Sequence, residues 1–148
     1  MIEIVMYQPD IPGNLGACMR LCACLDLGLH VIEPAGFPLR DARLKRAAMD
    51  YAGRARLCRH ASFEAFRNDR QGRLVLLSTT ASEIYTGFRF EPGDLLLLGR
   101  ESAGVPPEVH GAANARLRIP MAPGERSLNV VIAAAMVAGE ALRQFTSK

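Results

Sequence analysis

The chain has 148 residues, 49% of them apolar and 22% charged, with a formal net charge of +3. That is one domain's worth of sequence with enough apolar matter for a real core, and it excludes a disordered or collagen-like chain. Residues 1–7 carry no basic leader, and no apolar run approaches a membrane span, so a single cytoplasmic domain over residues 1–148 is the expectation.

In chain order, residues 2–7 read as a strand and residues 14–27 as a helix, capped by Asn14 after a Pro-Gly turn. Residues 30–32 are a second strand. Residues 41–49 read as helical, 51–58 as irregular or partly extended, and 62–68 as a short helix. Residues 73–78, 94–98 and 116–119 are further strands, and Pro106 suits the first position of a helix. Residues 127–145 form a long closing helix for which Ser127 is a natural N-cap. This alternation predicts an α/β fold, a mostly parallel sheet with helices on both faces.

Cys18, Cys22 and Cys24 crowd one helix and Cys58 stands alone, so no second pair completes a zinc-ligand pattern. They read as small buried hydrophobes, kept reduced, and no metal is expected. His30, His60 and His110 are scattered, with no nucleophile beside them in sequence.

The charge is unevenly placed. Between residues 40 and 59 lie Arg40, Arg43, Lys45, Arg46, Arg54, Arg56 and Arg59 against only Asp41 and Asp50. The segment has two readings, a solvated helix face or an electrostatic footprint for a phosphate-rich partner.

Three loops leave strand ends in the manner of ligand loops in open α/β sheets. The first, Pro9-Asp-Ile-Pro-Gly-Asn14, leads into a helix that is apolar from Gly16 to Leu25 apart from Arg20. A guanidinium in that company is costly unless it is paired, snorkels to water or faces a site. The second, Gly99-Arg-Glu-Ser-Ala-Gly104-Val-Pro106, has the glycine spacing of a phosphate loop but lacks its Lys-Ser/Thr, and no dinucleotide fingerprint follows the first strand. The third runs from Ile119-Pro-Met121 to Ser127-Leu-Asn129 and enters the closing helix.

Together these loops resemble the three signature motifs of the SPOUT RNA 2′-O-ribose methyltransferases. The likeness runs nearly end to end. Tyr7-Gln-Pro-Asp-Ile-Pro12, Arg20-Leu-Cys22, His30-Val-Ile-Glu-Pro34, Gly36-Phe37, Asp50-Tyr51 and Arg59-His60 resemble its short branch, the tRNA (cytidine/uridine-34)-2′-O-methyltransferases. The resemblance implies a C-terminal trefoil knot, S-adenosylmethionine as cofactor, tRNA in its anticodon region as substrate, and a homodimer with sites at the interface.

By matching position, the resemblance implies a cofactor pocket containing Ser78, Thr79, Gly99, Glu101, Ile119, Met121, Ser127 and Leu128. It makes Arg20 the catalytic arginine, with Asn14, Glu101, Ser127 and Asn129 around it. Arg20, Arg40, Arg43, Lys45 and Arg46 are the expected RNA contacts. The chain departs from the pattern at Arg100, where proline is common, at Val131 and Ile132, where polar residues are common, and at Gly139, where some members carry tyrosine. Two alternatives stay open: a 2′-O-methyltransferase for another tRNA or rRNA site, and a non-catalytic RNA-binding member of the fold. The closing helix is apolar on every side after Asn129, which calls for cover on every side and so for a second subunit.

Overall fold

A computed structural model describes residues 1–147. Strands β1 (Glu3–Tyr7), β2 (Gly28–Ile32), β3 (Arg56–His60), β4 (Leu74–Leu77), β5 (Glu83–Ile84), β6 (Leu95–Leu98) and β7 (Ala115–Arg118) form one sheet. Its order is β3-β2-β1-β6-β4-β7-β5, and every strand pairing is parallel. The helices are α1 (Pro12–Leu25), α2 (Ala42–Ala48), α3 (Phe63–Asp69), α4 (Pro107–Ala112) and α5 (Val130–Thr146).

The apolar runs of β1, β4 and β6 arise because both faces of the sheet are covered. Alternate residues serve opposite layers. Ile4, Met6, Leu96 and Leu98 pack with Leu15, Cys18 and Cys22 of α1 and with Ala134, Val137, Ala138 and Ala141 of α5. Val5, Tyr7, Leu95 and Leu97 pack on the other face with Phe66 of α3 and Val109 of α4. The expected α/β architecture is therefore present. Among the described residues, no helix is long and apolar enough to cross a membrane.

The strand count exceeds the sequence reading. Residues 56–60 form β3, an edge strand whose Arg56 and Arg59 face water, so it shows no apolar run. The two-residue β5 has no sequence signal at all. Helix α1 starts at Pro12, its first turn preorganised by that proline, with Ile11 and not Asn14 at the N-cap. Pro106 is likewise the N-cap of α4, and Pro107 follows it. Ser127 does not cap α5; Asn129 does, its side chain accepting from the Val131 and Ile132 N–H groups.

Helix α5 is not covered on every side. One stripe is buried, while Ile132, Met136, Gly139 and Arg143, at helical spacing, are exposed. Cys18 and Cys22 are buried as expected, but Cys24 is exposed, being on the outer side of α1.

Two histidines far apart in sequence meet across β2 and β3. His30 Nδ1 and His60 Nε2 lie 2.9 Å apart, and His30 Nε2 lies 2.8 Å from Glu3 Oε2. Phe66 covers both rings. Burial depresses the His60 pKa below 6.5; His30 and Arg70 push it further down, and Asp69 opposes them. A depressed histidine binds its proton more weakly folded than unfolded, so stability falls as pH drops below about 6.5 and is fully present above it. Thermal melts between about pH 7.5 and 5 should show this acid-side loss in the wild type. His60→Gln, which keeps a polar group beside His30 but does not titrate, should flatten the slope; an unchanged slope would remove His60 as its source.

Candidate active site

The chain runs from β1 outward through β2 and β3, then crosses to β4 on the far side of β6. In such sheets the crevice at the carboxyl strand ends near the reversal is where ligands bind. A cavity of about 600 Å³ lies there, within the size range of small-molecule sites. Its walls come from the segments that follow β1, β4, β6 and β7. Leu76, Leu98 and Leu117 give it an apolar floor at the strand ends.

The loop after β6 is a closed ring. The Arg100 N–H donates to the Gly104 carbonyl at 2.8 Å, and the Gly104 N–H returns to the Arg100 carbonyl at 2.9 Å. Gly104 sits at φ +63°, and a Cβ on Gly99 would come within 2.8 Å of the Gly104 backbone. Both glycines are thus required by geometry.

Glu101 projects from this ring and ties the site together. Its Oε2 accepts from the Asp10 N–H at 3.0 Å and its Oε1 from Asn14 Nδ2 at 3.2 Å. Asn14 Oδ1 in turn accepts from Asn129 Nδ2 at 3.0 Å, and Asn129 Oδ1 caps α5. The Asp10 carboxylate answers from the other side, accepting from the Glu101 N–H at 3.3 Å and from Ser102 Oγ. The Arg100 guanidinium stands 3.7 Å from Asp10. Burial raises the Glu101 pKa, and contact with Asp10 adds to the rise. The same contact holds Asp10 down at about 2, aided by Ser102 and Arg100. Asp10 therefore carries the negative charge of the pair, and Glu101 is the readier of the two to hold a proton.

All eight residues expected in the cofactor pocket, Ser78, Thr79, Gly99, Glu101, Ile119, Met121, Ser127 and Leu128, line this cavity. So do Asn14 and Asn129. Arg20 does not line it. It lies six residues beyond Asn14, about 9 Å along α1 and about a third of a turn around it. Its guanidinium is exposed, so the cost of burying it among apolar residues does not arise. Its Nη1 donates to Met49 Sδ at 3.3 Å, and it lies 5.3 Å from the Tyr51 ring centre.

Arg40, Arg43, Lys45 and Arg46 are all exposed. Arg43 is engaged by Asp41, at 2.9 Å, in a two-pronged contact. Among the described residues, Arg40, Lys45 and Arg46 form no ion pair. Sequence reasoning passed over three residues of the site: Asp10, Ser102 and His110, the last of which lines the cavity and takes a contact from Arg116. Asp10 lies inside the Tyr7–Pro12 stretch, where a short acid beside a strand end was its signal.

Residues 1–139 match the SpoU rRNA Methylase family. The chain belongs to this family. It is 58% identical over 144 residues to a tRNA (cytidine(34)-2′-O)-methyltransferase of Beijerinckia indica, covering 95% of this chain and 90% of that one. It superposes, with TM-score 0.95 and 41% identity, on a structure described as giving structural insights into the 2-OH methylation of C/U34 on tRNA, covering 100% of this chain and 98% of that one. It also resembles the SpoU methyltransferase AviRb of Streptomyces viridochromogenes in complex with AdoMet, at TM-score 0.86 and 27% identity, covering 100% of this chain and 61% of that one.

Proposed function

We propose that the chain is a tRNA (cytidine/uridine-34)-2′-O-methyltransferase, using S-adenosylmethionine to methylate the wobble ribose. The observation that carries this reading is the Glu101-centred cavity, walled by the three motif loops. The 58% and 41% identities to wobble-nucleotide proteins support the choice of substrate over another tRNA or rRNA site.

The cavity suits the cofactor. Its apolar floor and the side chains of Ile119, Met121 and Leu128 match a flat base and the aliphatic part of the cofactor's amino-acid chain, while Ser78, Thr79 and Ser127 supply the few polar groups that fix orientation. When bound, S-adenosylmethionine supplies an electrophilic sulfonium methyl.

The chain's own residues then have distinct tasks. Glu101 and Asn14 hold the loop after β6 and the start of α1 in one arrangement, and Asn129 extends this hold to α5. Methyl transfer needs in-line approach, so this fixed geometry is a direct contribution to rate. Arg20 binds the phosphate beside the reacting ribose and stabilises negative charge developing on O2′. It acts as a cation and not as a base, because guanidinium stays protonated in proteins, and the O2′ proton is released to water as the O2′–methyl bond forms. Arg40, Arg43, Lys45 and Arg46 extend a positive surface for the anticodon arm.

Arg20 does not line the pocket of its own chain, and α5 exposes Ile132 at 54% and Met136 at 39%. Both observations support a homodimer in which Arg20 of one protomer serves the pocket of the other. The reading also takes residues 1–148 as one cytoplasmic domain, with the segments after β6 and β7 and α5 threaded as the trefoil knot.

Labelled S-adenosylmethionine and tRNA lacking the modification should give label at the ribose of nucleotide 34. Arg20→Ala should lower transfer at least a hundredfold, about 2.7 kcal/mol, and leave cofactor affinity within about twofold. No label at that ribose would reject the function; equal activity of Arg20→Ala would reject the role of Arg20. Light scattering at micromolar concentration should give twice the 16.1 kDa chain mass, and a fully active monomer would exclude the shared site.

A further inference from the structure

Arg20 is fixed in an unusual way. A guanidinium at a protein surface is most simply held by a carboxylate, which also cancels its charge. Among the described residues Arg20 has no carboxylate partner. Its two contacts are the Met49 thioether, a weak neutral acceptor 3.3 Å from Nη1, and the Tyr51 ring, whose centre is 5.3 Å from Cζ. A second guanidinium, that of Arg54, lies 4.3 Å from the same ring centre. Arg54 reaches Asp50 at 3.3 Å, but both side chains of that pair are largely exposed and the contact is weak.

The backbone is built to make this cluster. Gly16 and Arg20 share a face of α1, four residues apart. A Cβ on Gly16 would lie 2.6 Å from the Leu44 carbonyl and 2.7 Å from the Ala47 Cβ, so α1 and α2 touch almost backbone to backbone. That approach delivers the 3₁₀ turn Met49–Gly53, which follows α2 directly, to Arg20. Met49 enters the turn at φ +54°, ψ −135°, a region costly for any residue with a Cβ. Met49 is 57% exposed, so core packing does not explain the strain. The conformation puts Met49 Sδ on the Arg20 guanidinium, and local strain of this kind collects at functional sites.

Two cations drawn to one ring repel each other, and only an anion relieves them both. We propose that Tyr51 is a positioning residue which, with Met49, presents Arg20 and Arg54 as a paired clamp for the phosphodiester backbone of the RNA substrate. The inference rests on the RNA-directed reading of the site and deepens it. Arg54 becomes a binding residue, and Tyr51 acts through the two arginines by offering its ring to them without cancelling their charge.

Three variants test this on the full chain, using an anticodon stem-loop RNA as probe. Tyr51→Ala should weaken RNA binding and lower kcat/KM at least tenfold, with cofactor affinity and melting temperature essentially unchanged. Tyr51→Phe keeps the ring and should stay within about threefold of wild type. Arg54→Ala should weaken binding and reduce the slope of log affinity against log salt by about one. Tyr51→Ala indistinguishable from wild type, Tyr51→Phe as impaired as Tyr51→Ala, or an unchanged salt slope in Arg54→Ala would each overturn the clamp. Wild type that binds neither cofactor nor RNA would instead reject the functional reading on which it rests.

Discussion

The Glu101 carboxyl group is the junction on which the site depends. It accepts from the Asp10 N–H and from Asn14, and Asn14 in turn accepts from Asn129, so residue 129 joins the junction through Asn14. None of these contacts is local in sequence; Asp10 and Glu101 are 91 positions apart, and Asn14 and Asn129 are 115 apart. A partly buried carboxyl group is stable only if its oxygens have donors, and here an amide N–H and an Asn Nδ2 supply them. The carboxyl group is satisfied when the loops after β1 and β6 meet, and Asn129 brings the third loop in by donating to Asn14. The cavity and the end of α5 follow from that one arrangement, since Asn129 caps the helix with one atom and joins the network with another.

Asp10 and Glu101 divide the work by environment. Asp10 is held ionised near 2 by Glu101, Ser102 and Arg100, while burial pushes Glu101 upward. Arg100 stands where proline is common in the resembling branch, and here it faces Asp10 and lines the cavity. The departure thus adds a cation beside the charged member of the pair. It leaves the ring from Gly99 to Gly104 closed, because that ring is held by backbone hydrogen bonds and not by a side chain.

The parts of the fold legible in the sequence were those with short-range causes. Apolar runs located the buried strands β1, β4 and β6, and glycine-bounded loops at their ends located the cavity. The motif likeness placed every expected pocket residue on its wall. Features with long-range causes were not legible. Asn14 looked like a helix cap because it follows a Pro-Gly pair, but Pro12 starts the helix and leaves the Asn14 amide free to reach Glu101. Ser127 lost the cap of α5 to Asn129, since only Asn129 both precedes the helix and meets Asn14. Strand β3 was hidden by the exposed arginines of a sheet edge, and the pairing of His30 with His60 appears only once β2 and β3 are aligned. Arg20 was singled out because its helix neighbours are apolar, yet the structure leaves it in water against Tyr51 and Met49.

The role proposed for this cavity and these arginines is service to one ribose in tRNA. Mass-spectrometric mapping of 2′-O-methyl groups in total RNA from a strain lacking the gene, beside its parent, tests it most directly. The expected result is loss of the methyl group at nucleotide 34 of one or more tRNAs, with ribosomal RNA and all other tRNA positions unchanged. A methyl group lost from ribosomal RNA or another tRNA position, with nucleotide 34 intact, would contradict it.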